Sequence, residues 1–310
     1  MSGQKILVTG GAGEIGSRLV RRLTAAGHRV RVLALPDDAR PRLLRDVPCE
    51  IVLGDVTRPE TLGPAGEGIH TLYHLAAVLL VEQERLFEEV NVAGTRNVVR
   101  AALSAGVEHL IHVSSASVVY PRSTPYSRSK HAGEQIVRQS GLPHTIVRPT
   151  LVYEAGGGLE FRTFAEFVLR WPVVPLIGDG SARKNPVHAD DLIDGLLAIC
   201  GNPAAYGKLY NLCGGEEITI REMAELVLRQ HGLHRPLLPL PTALCRAAAV
   251  VVGRVTRRPM LMRHTLAGLT QDANLDRTGA ARDLGYNPIG IREGIRRCCS
   301  PVGRRGGADS

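Results

Sequence analysis

Short apolar runs alternate with amphipathic, helix-like stretches through the first half of the chain, and this alternation restricts the fold more than any other feature. KILVTG from Lys5 precedes a helical stretch from Ser17 to Ala26, then HRVRVLAL, then a helical region around Pro41 to Arg45. CEIVLGDV, IHTLYHLAA, a long helix from about Glu84 to Ala105, HLIHVSS, a helix from Tyr126 to Ser140 and HTIVRPTLVY continue the series. Strands that recur after each helix run parallel and need helices on both faces. The expected fold is therefore α/β, with a doubly wound parallel sheet. After about residue 153 the rhythm loosens into EAGGGLE, PLIGDGSARKNPVHADDL, KLYNLCGG and a Pro-rich PLLPLPTALCR stretch. That half reads as a smaller C-terminal α/β part, ending near Arg297 before a tail, 298–310, whose composition is that of a flexible segment.

Parallel sheets bind ligands outside the carboxyl ends of their strands. TGGAGEIG, residues 9 to 16, stands at the first such end, with Gly10, Gly13 and Gly16 spaced G-x-x-G-x-x-G and with Glu14 and Ile15 opening the helix. Bare glycines at a helix N-terminus let a pyrophosphate approach the backbone, so the loop predicts nucleotide binding. Asp55 and Val56 end the third strand, where a carboxylate can meet an adenine amino group. Leu75, Ala76 and Ala77 end the fourth, where small residues let a cofactor pass, and Asn91 lies early in the long helix. Each of these, taken singly, reads better as a turn, a packing contact or a helix residue than as a ligand; their value is joint.

A third feature is STPYSRSK, residues 123 to 130, in a chain with 34 Arg and only 4 Lys. Arginine cannot give up its proton, whereas a lysine ammonium can tune a neighbour. Thr124 or Ser123 as N-cap and Pro125 at the first position start a helix that puts Tyr126 and Lys130 on one side. The expectation is that the ammonium lowers the phenol from about 10 towards neutrality, making Tyr126 an acid or base.

Composition excludes several classes. With 44% hydrophobic residues the chain can bury a substantial core, and no apolar run approaches the about 20 residues that span a bilayer. No membrane association is expected, and the N-terminus enters a strand without a signal-peptide layout, so the expectation is cytoplasmic. The net charge of +8 comes with 4% aromatics and no interleaved basic stripe, which argues against nucleic acid and leaves attraction to an anionic small molecule. Six cysteines, at 49, 200, 213, 245, 298 and 299, lack C-x-x-C spacing and read as free thiols. The histidines and cysteines form no metal-ligand spacing, so no metal is expected.

TGGAGEIG, HLAA, NVAGT, VSSASV, Tyr126-x-x-x-Lys130, RPTLVY and NPVHADDL stand in the order seen in extended short-chain dehydrogenases/reductases. The chain resembles the NAD-dependent epimerase/dehydratase branch of that family, from about residue 4 to 297. The resemblance implies a Rossmann-type NAD(P)-binding domain over 1–152, with contributions from about 186–212, and a substrate-binding part made of 153–185 and 213–297. It implies hydride transfer at a nicotinamide with Tyr126 as acid/base, Lys130 on the nicotinamide ribose and Ser115 orienting the substrate oxygen; Ser114 and Ser117 are the alternatives for that hydroxyl. It also places Pro149 beside the cofactor and Thr150 on the substrate side, and it implies a homodimer through paired helices.

Departures from the pattern narrow the activity. Ala116-Ser117 stand where family dehydratases carry an Asp-Glu pair, which disfavours a dehydratase. Arg183 and Lys184 precede NPVH where a basic residue commonly meets a nucleotide diphosphate, while Thr150-Leu151 replace an expected asparagine; a solvated basic turn is the other reading of that pair. His188 reads as a hydrogen-bonded structural histidine beside Asp190 or Asp191. The acidic residue expected at the end of the second strand would fall near Ala34 and is absent; Asp37 and Asp38 favour NAD, Arg31, Arg40 or Arg42 would favour NADP, and NAD is the expectation. The leading expectation is an oxidoreductase of epimerase type on a nucleotide sugar. Only ten residues separate Ser115 from Tyr126, and that short loop, with the apolar Leu237 to Val255 region, keeps open a ketone or alcohol of secondary or sterol-like metabolism. A dinucleotide-binding sensor without turnover is the third reading.

Overall fold

Seven parallel strands form the sheet on which everything else is placed. The structure, a computed structural model, describes residues 3–36, 38, 43–154, 158–245, 247–248 and 267–299. Strands β1 (Lys5–Thr9), β2 (Arg29–Ala34), β3 (Glu50–Leu53), β4 (Thr71–His74), β5 (His109–Val113) and β6 (His144–Pro149) take the spatial order β3-β2-β1-β4-β5-β6. The chain order reverses between β1 and β4, which opens a crevice at their carboxyl ends. A seventh strand, Leu209–Leu212, comes from far along the chain and pairs with β6 in register Leu209 to Ile146.

Period-two alternation explains the two covered faces. Ile6, Val8, Val32, Tyr73 and Ile111 point to one side, where Leu19, Val20 and Leu23 of α1 (Glu14–Ala25) meet Leu192, Ile193 and Leu196 of the helix Ala189–Ile199. Leu7, Leu33, Leu72, Leu110 and Ile146 point to the other, against Val98, Val99 and Ala102 and against Val137. Tyr73 donates its hydroxyl to the Leu196 carbonyl at 2.9 Å, which satisfies the one polar atom of a buried ring.

After a short turn of helix, α2 (Gly63–Gly66), the long helix differs from expectation. Its first part, Phe87–Ala93, is wound in wide i to i+5 turns before it continues as α3 (Gly94–Ser104). Such a segment inserts a residue and redirects side chains, often at functional sites. Helix α4 (Pro125–Arg138) starts as expected at Thr124, with a reciprocal capping box to Ser127 and Pro125 in the first turn.

The second part packs around Tyr153, Phe164, Val168, Leu176, Met223 and Ile291. It comprises β7 (Val152–Tyr153), α5 (Leu159–Arg170), β8 (Val174–Ile177), β9 (Arg183–Lys184), β10 (Val187–His188), α6 (Ala189–Ile199), β11 (Leu209–Leu212), β12 (Ile218–Thr219), α7 (Ile220–Gln230), β13 (Leu237–Leu240), α8 (Thr278–Leu284) and α9 (Ile291–Cys299), with α6 and β11 returning to the large sheet. His188 caps α6, its Nδ1 accepting from the Asp190 backbone at 3.3 Å. Asp37, Arg40, Arg42, Arg257-Arg258 and the tail from 300 lie outside the described residues, as does part of the helical region expected around Pro41 to Arg45 and of the apolar stretch to Val255.

One buried ion pair fastens α4 to β6. Glu134 is 0% exposed and receives both arms of Arg148, at 2.8 and 2.7 Å, together with the Ser114 hydroxyl at 2.7 Å. Burial by itself would raise this carboxyl; the bonds from Arg148 and Ser114 outweigh it and hold the group below its ordinary range. A carboxylate lowered on folding stabilises above its unfolded pKa and stops doing so as pH falls through the folded value. Arg148→Met strands the charge and should cost about 3–5 kcal/mol at neutral pH, with part of that loss recovered in acid, as measured by urea unfolding at two pH values.

Candidate active site

The glycine loop is built for close approach. Gly10 has φ of 72°, and a Cβ there would lie 2.7 Å from the Ala76 backbone nitrogen; a Cβ on Gly16 would run into the Gly10 carbonyl. These two glycines are required by the protein's own packing. Gly13 differs, because a Cβ there would meet only the Gly10 carbonyl, at 3.3 Å, and otherwise open space. Gly13 also serves as N-cap of α1 with no side chain satisfying the first-turn amides. Open space in front of orphan N–H groups fits a pyrophosphate.

Glu14, at the start of α1, turns its carboxylate towards α5, where it accepts from the Gly158 amide at 3.2 Å and lies 3.4 Å from Arg162. Ile15 and Leu75 are partly buried and pack against the same core. Asp55 closes a turn by accepting from the Thr57 amide at 2.8 Å, and Val56 packs on Gly94 while its carbonyl receives Asn97 at 2.9 Å. Ala76 lies against Gly10, Ala77 is exposed, and Pro149 ends β6 opposite Leu212. Arg31 does not face a ribose: it bonds Glu50 at 2.8 Å and the carbonyls of Pro64, Ala65 and Glu67, at the end of α2.

A chain of hydrogen bonds joins this loop to α4, and its direction can be assigned. Thr95 donates to the Asn91 carbonyl at 2.6 Å, so at 3.0 Å it accepts from His74 Nε2. His74 Nδ1 then accepts from the Thr9 hydroxyl at 2.7 Å. Burial, with the nearby charge of Lys130, lowers His74 to about 3, so the ring is neutral, in keeping with this tautomer. Asn91 is 2% exposed, and its amide bonds Val78 N–H at 2.8 Å, Val78 C=O at 3.0 Å and Ser129 Oγ at 3.0 Å. Ser129 in turn donates to the Tyr126 carbonyl at 2.8 Å. Expected to touch the cofactor, Asn91 thus ties the loop after β4 to the first turn of α4, and both its amide donors are engaged.

The three catalytic candidates gather at the end of β5. Ser115 Oγ accepts from the Ser117 amide at 3.1 Å, lies 2.9 Å from Ser117 Oγ and is near enough to the Tyr126 phenol to pull its pKa down. Ser114 points away, to Glu134, and among the three serines Ser115 is the one that acts on the phenol. Lys130 is 4% exposed and donates to the Val113 carbonyl at 2.7 Å; burial lowers it to about 8, against an opposing pull from Glu134.

The expected effect of Lys130 on Tyr126 is corrected here. Tyr126 is raised above its ordinary value, by burial first and by the charge of Glu160 next, and only the neighbouring Ser115 hydroxyl pulls it down. Confinement dominates because the ammonium is committed to a strand-end carbonyl. The phenol is therefore protonated at neutral pH.

The substrate side departs further from expectation. Arg183 is paired with Glu217 on the surface, and its amide donates to Asp272 at 2.8 Å. Lys184 is 4% exposed; its ammonium bonds the Gln271 carbonyl, lies 3.5 Å from the Tyr120 hydroxyl and sits 5.0 Å over that ring. Thr150 donates its hydroxyl to the Asn185 carbonyl at 2.7 Å. All three side chains are therefore held by protein groups, since burial or a nearby carboxylate captures each of them. Two residues the sequence reading missed stand here instead, Tyr120 and Glu160. Glu160, in the first turn of α5, is open to solvent yet hemmed in by protein; that confinement raises its carboxyl while Lys184 pulls the other way, and its charge reaches Tyr120 and Tyr126. No sequence pattern marks either residue.

Comparison with known proteins agrees with this geometry. The family model described as NAD dependent epimerase/dehydratase family matches residues 6–213. A 3 beta-hydroxysteroid dehydrogenase/Delta 5-->4-isomerase of Mycobacterium tuberculosis is 29% identical over 96% of this chain and 90% of that protein. A 4-hydroxy-2-methyl-3-oxo-4-farnesyl-3,4-dihydroquinoline-1-oxide ketoreductase of Stigmatella aurantiaca is 25% identical over 91% of each chain. Among solved structures, the UDP-glucose 4-epimerase of Thermus thermophilus, in complex with NAD, superposes with a TM-score of 0.75 at 25% identity, covering 95% of this chain and 97% of that one.

The two kinds of glycine separate in a binding experiment. Gly13→Val should leave the unfolding midpoint nearly unchanged and weaken NAD binding at least about tenfold, read by calorimetric titration. Gly16→Ala should instead destabilise the fold by about 1–3 kcal/mol through overpacking.

Proposed function

The chain belongs to the NAD dependent epimerase/dehydratase family, an NAD-dependent oxidoreductase family, and from that premise we propose that it moves hydride at a carbinol or keto carbon of an uncharged, non-nucleotide substrate. The observation that carries this reading is the state of the basic pair. Arg183 and Lys184, the side chains that would meet a diphosphate, are bound to Glu217 and to Gln271 and Tyr120, while the carboxylate of Glu160 acts on the space around Tyr126. A diphosphate placed there would meet like charge and bring no partner for it. The hydroxysteroid dehydrogenase and the ketoreductase among the relatives support a neutral alcohol or ketone; the nucleotide-sugar reading draws on the structural likeness to UDP-glucose 4-epimerase.

In this reading Gly10, Gly13 and Gly16 hold the pyrophosphate, Asp55 and Val56 the adenine end, Leu75 to Ala77 and Pro149 the middle, and Lys130 the nicotinamide ribose. Bound NAD supplies the hydride acceptor or, when reduced, the donor. Ser115 Oγ orients the substrate oxygen, and Tyr126 gives that oxygen its proton during reduction or takes it during oxidation. Because burial keeps the phenol protonated, reduction starts from the ready form and oxidation must first deprotonate it. The sign follows: oxidation should accelerate with rising pH from about 7 to about 10, while reduction stays flat over the lower half of that window.

Two measurements test the proposal. Incubation with NAD and a 3β-hydroxysteroid, or with another uncharged secondary alcohol, should produce NADH; conversion of UDP-glucose to its epimer without net NADH would restore the nucleotide-sugar reading. NAD bound tightly with no turnover of either class would instead favour a sensor. Tyr126→Phe should keep NAD affinity within about twofold and lower turnover by about 10²–10⁴-fold, and full activity in that variant would remove Tyr126 from the chemistry.

A further inference from the structure

The connection from Ser115 to Tyr126 is short, and its outer part, Pro121 to Ser123, is exposed. It is nevertheless held from the substrate side by a residue 149 positions away in sequence. Gln271, 8% exposed, accepts the Arg122 amide at 2.7 Å and donates to the Arg122 carbonyl at 3.1 Å and to Ala267 at 3.3 Å. This two-point pairing imitates a strand ladder, and burial shields it from competing water. The next residues are fastened too: the Asp272 carboxylate takes the Arg183 amide at 2.8 Å, and the Ala273 amide donates to the Arg183 carbonyl at 2.9 Å. Lys184 closes the arrangement by bonding the Gln271 carbonyl and reaching Tyr120, which lies in the same connection.

We infer that Gln271 is a positioning residue for the acid/base pair: by gripping the Arg122 backbone it holds the connection between Ser115 and Tyr126, with Lys184 locking Gln271 in place. The inference rests on the reading of Ser115 and Tyr126 as the reacting pair. Tyr126 lies in the first turn of α4, whose cap, Thr124, is two residues past Arg122, so release of Arg122 frees the stretch that sets where the phenol faces Ser115. An error of about 1 Å in such a contact can cost about 100-fold in rate.

The test uses the full chain with NAD and three variants: Gln271→Met, which keeps size and loses every side-chain bond, Gln271→Glu, which keeps the acceptor for the Arg122 amide, and Lys184→Met. Expected for Gln271→Met are NAD affinity within about twofold of wild type, kcat lower by about 10–100-fold, and fast hydrogen exchange at the Arg122 amide. The ¹³Cζ signal of Tyr126, assigned through Tyr126→Phe, should also move, which a loss of overall stability alone would not cause. Gln271→Glu should restore slow exchange at Arg122 and part of the rate; Lys184→Met should show the same effects more weakly. Unchanged exchange, signal and kcat in Gln271→Met would overturn the inference. Should Gln271→Met fail to fold, the exchange and signal in Gln271→Glu decide instead, and neither needs the substrate to be known. Activity surviving Tyr126→Phe would discard the catalytic reading while the exchange result still reports on the grip of Gln271.

Discussion

The amide of Asn91 is the point from which the carboxyl ends of the sheet are hung. One side chain pairs with both backbone groups of Val78, after β4, and with Ser129, whose hydroxyl in turn holds the first turn of α4. Buried amides of this kind are stable only when satisfied, and a satisfied one fixes its partners relative to each other. The wide-turned segment from Phe87 to Ala93 is what aims Asn91 inward, and the string Thr95, His74, Thr9 ties it back to the end of β1, next to the glycine loop. The distance between the dinucleotide cradle and the phenol is thus set by hydrogen bonds of fixed direction rather than by apolar packing, which tolerates slippage.

Charged groups in this protein do positional work once they leave water. Glu134 joins α4 to β6 through Arg148, Lys130 ends β5 by capping Val113, and Lys184 lies under Tyr120 against Gln271. Each gives up hydration for a fixed bond, and it is the lost hydration, against the pull of nearby carboxylates, that lowers the two lysines to about 8. Glu160 keeps contact with solvent, and its charge acts on Tyr120 and Tyr126.

Much of this was legible in the sequence where the cause is local. The alternation of strands and helices, the glycine loop and the Thr124 cap follow from neighbours a few residues apart, and the sheet, loop and cap are found where the sequence puts them. Ser115, Tyr126 and Lys130 also come together, but the ammonium does not govern the phenol, because spacing places a side chain on a face without saying where its long stem ends. Arg31, Arg183 and Lys184 show the same limit: a cation in a sequence announces charge, and only the fold reveals whether a carbonyl or a carboxylate has already taken it. Gln271 and Glu160 were invisible, since their partners lie far away in the chain.

The seventh strand carries a consequence for how the molecule comes into being. Leu209–Leu212 completes the sheet beside β6 only after the ribosome has added roughly sixty more residues, most of them belonging to the other half. Until then β6 is an open parallel edge with apolar faces, the kind of surface that recruits strangers. The nucleotide-binding half is therefore no module that can be cut out and lent to another protein: its rim is stitched by thread from its neighbour, and the two halves mature together.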